Sequence, residues 1–135
     1  MKKLAALFII FLSFSVFSCK KDSESDKFKL LTAPTWASDS LLADGIDASG
    51  PDGVLKNFKG EAKFNEDGTG NFGIYEGTWR FAYDETQIVI ETDSLPIPLT
   101  TIIAELTSAS LKITTSYPNI LTGTPIKIRM TFKAK

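Results

Sequence analysis

No histidine occurs in the chain, and there is a single cysteine. The missing imidazole removes Ser-His-Asp and Cys-His catalysis. It also removes zinc sites built on His and Cys, since one thiol cannot complete a ligand set. A lone cysteine excludes an intrachain disulfide. Charge of either sign is scarce in excess: the formal net charge is -1 over 135 residues. Such a chain lacks the basic stripe that neutralises phosphates, so nucleic acid is not an expected partner. Carboxylate pairs remain formally open as catalysts. The acids, however, cluster in turns and in one polar run, and no pair is flanked by apolar residues that would raise a pKa. The expectation is a non-enzyme with no cofactor and no metal.

What is abundant is phenylalanine, and it is unevenly placed. Four of the ten lie near the start: Phe8, Phe11, Phe14 and Phe17. Lys2 and Lys3 make a basic beginning, and Leu4 to Val16 is apolar apart from small serines. This run falls short of the ~20 residues that span a bilayer core. Basic start, short apolar stretch and small residues near its end predict a secretory signal over residues 1–18.

"VFSC" (Val16 to Cys19) resembles the lipobox of bacterial lipoproteins. The resemblance implies cleavage before Cys19 and a diacylglyceryl group on its thiol, which makes the membrane a partner. Each buried methylene contributes ~0.8 kcal/mol and one acyl chain holds only marginally, so stable attachment needs the second chain. The expected location is the cell envelope, anchored to the outer membrane. Residues 19–27 then read as a lipidated tether, because "KKDSESDK" (Lys20 to Lys27) has no apolar residue to offset the entropy of ordering. Asp22, Glu24 and Asp26 are similar to the acidic tracts that send some Bacteroidota lipoproteins to the cell surface. A solvated linker accounts for them equally well, and periplasmic and surface-facing outcomes both stay open.

From Phe28 the dominant period is two. Phe58, Gly60, Ala62 and Phe64 alternate with Lys59, Glu61, Lys63 and Asn65, as in a half-buried strand. "NEDGTG" (Asn65 to Gly70) is a dense turn signal. In "NFGIYEGTWRFAY", Phe72 and Ile74 share one parity while Trp79, Phe81 and Tyr83 share the other. A bulge or bend at Gly77 would account for the slip. "DETQ" reads as a turn and "IVIET" as a strand; "TIIAEL" reads as a strand or a helical turn. "SLKITTSY" and "IKIRMTF" read as strands, the second with Ile126, Ile128, Met130 and Phe132 on one face. Phe28 to Leu41 predicts a first strand or strand pair around Trp36, and Ala43 to Gly53 a long polar loop. Seven or eight short strands predict an all-β sandwich or barrel.

The order of "L..W" (Leu31 to Trp36), "KFNEDGTG", "GTWRF", "IVI", "ELTSASLKI" and "KIRMTFKA" resembles the small lipocalin-like lipoproteins of Bacteroidota. The resemblance covers nearly all of residues 28–135. It implies one lipocalin-like domain there, a small antiparallel β-barrel that is complete or incomplete. It transfers a shape and no activity.

Two motifs invite a metal. In "NEDGTGNFGIYE", Asn65, Asp67, Thr69, Gly70 and Glu76 fall at EF-hand loop positions. The flanks alternate as strands, so a hairpin turn is the preferred reading. Asp44, Asp47 and Asp52 read as a solvated loop rich in turn formers. The aromatics Trp36, Phe58, Phe64, Phe72, Trp79 and Phe81 are the candidate lining of an apolar cavity, or else they fill the barrel interior. The expected function is non-catalytic binding of a small apolar or amphipathic ligand at the envelope. The alternative is a protein-binding accessory subunit of an outer-membrane or surface assembly, without a small-molecule pocket.

Overall fold

A computed structural model of the chain describes residues 25–119 and 121–135. Cys19, the apolar run before it and residues 20–24 lie outside the described residues. The described chain opens with a helix, α1 (Asp26–Thr32). The Ser25 hydroxyl caps it, accepting from the Phe28 amide at 3.1 Å. The same hydroxyl donates to Glu85 Oε2 at 2.7 Å, and Lys27 Nζ donates to the Glu85 carbonyl at 3.0 Å. Residues 25–27, read from the sequence as tether, are therefore part of the folded body. So short a helix is marginal alone. Packing holds it: Phe28, Leu31 and Thr32 fall on one helical face, with Leu31 and Thr32 buried. That spacing, together with the cap, makes a helix of residues 28–32, the front of the segment expected as a first strand or strand pair; its part from Trp36 onward is strand as expected.

Nine strands follow: β1 (Trp36–Ala43), β2 (Ile46–Asp47), β3 (Glu61–Phe64), β4 (Thr69–Phe72), β5 (Tyr75–Ala82), β6 (Gln87–Thr92), β7 (Leu99–Leu106), β8 (Ser110–Tyr117) and β9 (Ile126–Ala134). All pairings are antiparallel, and β1 also pairs with β9. Eight strands thus close into a barrel, with the two-residue β2 as an extra strand beside β1. The expected all-β antiparallel barrel is the observed fold. Closure removes the open edges that an incomplete barrel would expose.

The two flanks of β1 differ. Against β9 it is paired along its length, from Trp36↔Ala134 to Ala43↔Ile128, with a bulge between Ser38 and Ser40. Against β3 only Trp36↔Ala62 and Ala37↔Glu61 are paired. Gly60 continues that seam, accepting from the Ser38 amide at 2.7 Å and donating to the Ser38 hydroxyl at 2.9 Å. Above it, β2 takes the flank of β1, and the segment between β2 and β3 carries a 3-10 turn at Lys56–Phe58.

The phase slip has a different cause from the expected one. β4 and β5 are separate strands joined at Gly73 and Ile74, and Phe72 pairs directly with Tyr75. Gly73 has φ +65°, and a Cβ there would sit 2.0 Å from the Asn57 carbonyl, so only glycine fits. Gly77 continues a regular ladder with Gly70 and Thr92, without a bulge.

The inward residues form one core. Leu41, Ala62, Phe64, Phe72, Trp79, Ile88, Ile90, Leu111, Ile113, Met130 and Phe132 are all buried in it. The barrel has unlike ends. One carries α1 and the short turns β3–β4, β5–β6 and β7–β8, and is capped by the helix. The other carries residues 44–60, the Gly73–Ile74 turn and the loops 93–98 and 118–125. This second end is the mouth.

Candidate functional site

Pleat geometry decides what faces the mouth. On β9, Ile126, Ile128 and Met130 point inward while Lys127 and Arg129 point out. Leu99 at the start of β7 and Tyr117 at the end of β8 reach the same level. Val54, Leu55 and Phe58 arrive from the 3-10 segment, Leu95 and Leu121 from the mouth loops. Together these groups border an open cleft of about 330 Å³. That lies at the small end of the range for ligand pockets.

Below the cleft the barrel is filled. The residual space among Phe64, Phe72, Ile90, Ile113 and Phe132 is about 10 Å³, at the limit for a single water. Phe58 and Met130 border both spaces and so form the floor of the cleft. Two glycines help the rings fit: Gly70 and Gly77 face each other across β4 and β5, and a Cβ on Gly70 would strike the Phe72 ring at 2.7 Å.

Of the six aromatics singled out from the sequence, only Phe58 lines the cleft. It stacks at a tilt on Tyr75, with ring centroids 4.9 Å apart, and the Tyr75 hydroxyl accepts from Asn57 Nδ2 at 3.3 Å. Phe64 and Phe72 pack against each other at 5.2 Å in the filled interior. Trp79 bridges Phe64, Phe81 and the Phe28 ring of α1, and its indole donates to the Asn65 carbonyl at 2.9 Å. Trp36 is fully buried at the capped end, where its indole donates to Leu31. Sequence reading had the inward face of β9 but not the loop contributors Val54, Leu95 and Leu121. Those three sit in segments without periodicity, so no pattern signals them.

The acidic turns are committed locally. Asp67 Oδ1 accepts from the Thr69 amide at 3.0 Å and its hydroxyl at 2.6 Å, and Asn65 Nδ2 donates to that hydroxyl at 3.0 Å. These bonds form the β3–β4 hairpin turn, and the Thr69 hydroxyl and amide hold the Asp67 carboxyl below its usual range. Asp47 does the same with Ser49, with the same downward shift. Glu76 stands on β5 opposite Asn71, away from the turn.

The chemistry available at the mouth is burial of apolar surface with a few neutral hydrogen-bonding groups. Tyr75, Tyr117 and Asn119 are the polar side chains of the lining, and among the described residues no charged side chain borders the cleft. Five aliphatic residues stand exposed on the mouth segments: Ile46, Val54, Ile74, Ile97 and Leu121. Compared with models of known protein families and with curated proteins, the chain matches none.

Proposed function

We propose that this is a lipid-anchored envelope protein that binds a small apolar or amphipathic ligand, without catalysis, in the mouth of its barrel. The supporting observation is the division of the interior. Space is withheld from the lower barrel and left at the mouth, in a mainly apolar lining. Burying apolar ligand surface there is favourable by ~25 cal/mol per Å². The lipobox at Cys19 and the lipocalin-like motif order supply the envelope part of the reading.

A second reading, a protein-binding subunit, is favoured by the exposed aliphatic residues of the mouth loops. Fluorescence titration with N-phenylnaphthylamine separates the two. Saturable uptake, weakened roughly tenfold by Ile126→Trp with an unchanged circular dichroism spectrum, is the result expected for a ligand cleft. No saturable uptake by the unaltered protein would remove the ligand reading.

A further inference from the structure

We infer that the cleft takes an uncharged amphiphile, an alcohol or ester head on an apolar body, and discriminates against the fatty-acid anion. The inference rests on the reading of the cleft as a ligand site and names the ligand chemistry.

The polar side chains of the lining, Tyr75, Tyr117 and Asn119, are all neutral. The Tyr75 hydroxyl already accepts from Asn57, which leaves its own proton to donate. Asn119 Oδ1 accepts from the Leu121 amide, and among the described residues its NH₂ group meets no acceptor, so it can donate to a ligand oxygen. Such groups satisfy a hydroxyl or an ester carbonyl. A carboxylate drawn into the same surroundings must either keep its charge without a cation beside it or take up a proton from alkaline solution, and either costs free energy that an alcohol or ester does not.

The cations that would serve an anion are placed elsewhere. Lys127 and Arg129 lie on β9 between the lining residues, and the pleat turns both outward. Lys59 borders an outer recess shared with Asp47. Across the mouth segments 44–60, 73–74, 93–98 and 118–125, the acids Asp44, Asp47, Asp52 and Asp93 outnumber the bases Lys56 and Lys59. With Lys127 and Arg129 on the outer face of β9 counted as well, the rim is close to balanced, so no excess of cations there draws an anion in. The exposed aliphatic groups extend the apolar surface beyond the cleft, which suits a chain that does not fit wholly inside.

Displacement of bound N-phenylnaphthylamine by dodecanol and by dodecanoate, in alkaline buffer where the acid is ionised, tests this. The expected result is dodecanol displacing the dye at a concentration lower by roughly tenfold or more. Leu121→Lys places a cation on the rim at a residue 93% exposed, where the fold tolerates it. It should strengthen dodecanoate and narrow the ratio. Equal displacement by the two compounds overturns the inference while the cleft reading stands. A ratio that Leu121→Lys leaves unchanged also overturns it, because the preference would then not be electrostatic. Failure of the dye to bind at all removes both.

Discussion

The indole nitrogen of Trp36 donates to the main-chain oxygen of Leu31 at 3.0 Å, and both residues are fully buried. This bond joins the last turn of α1 to the first residue of β1. It satisfies a helix-end carbonyl that has no intrahelical partner. Trp36→Phe keeps most of the apolar bulk and removes the donor. The expected loss is about 1–3 kcal/mol, read as a lower midpoint in urea unfolding. An unchanged midpoint would mean that the cap contributes nothing through this bond.

A second tie secures the same helix end. Lys63 on β3 donates to the carbonyls of Thr32, Ala33 and Pro34. A cation at a helix C-terminus also meets the negative end of the helix dipole. Lys63→Met should cost about 0.3–1 kcal/mol. Hydrogen exchange should show α1 losing protection before the strands do, and uniform loss across the barrel would contradict this account.

Gly77→Ala should be severe where Gly50→Ala is mild. A Cβ at Gly77 would lie 2.0 Å from the Glu91 carbonyl, against the β6 backbone, while one at Gly50 meets nothing within 4 Å. Backbone does not yield as a side-chain tip does. The expected destabilisation is about 1–3 kcal/mol or more at Gly77 and near zero at Gly50. Thermal unfolding of the two variants side by side is the check.

Acid should weaken the β3–β4 hairpin through Asp67. Its carboxyl is lowered from the usual 3.8 by the Thr69 hydroxyl and amide. A lowered native pKa means that the contribution is complete above the unfolded value and is lost as pH falls through the native one. The stability gap between the unaltered protein and Asp67→Ala should therefore be constant near neutrality and shrink below the usual carboxylate value. A gap independent of pH would assign the loss to something other than the ionised carboxylate.

Cys19→Ser should release the protein from membranes into the soluble fraction, because the proposed acyl chains would have no thiol to occupy. Sedimentation of the variant with membranes would refute lipid anchoring at this position. Intact mass of the detergent-extracted protein provides an independent reading.

Much of the barrel was legible because its strands are amphipathic. β8 runs from Ser110 to Tyr117 as its alternation predicts, and the inward residues of β9 are those of its pattern. α1 was not legible, since its Ser25 cap lies inside a polar run that reads as a tether. The Gly73–Ile74 turn was misplaced because Ile74, although apolar, points to solvent. The cleft was harder still. Alternation marks an inward face but is silent on whether that face meets another side chain or empty space. Here the largest aromatics do the filling, and the space is bordered mainly by leucine, isoleucine and loop residues.

The uneven stitching of β1 gives this cylinder a preferred line of yielding. On the β9 flank a rung-by-rung ladder runs from foot to lip, but on the other flank β3 is paired only near the foot, and β2 with the segment 44–60 takes the remaining height. Fewer rungs join β1 to β3 than to β9, so the β1–β3 seam is where the wall is expected to part first. In the proposed binding role, parting there would widen the lip while the capped foot stays zipped.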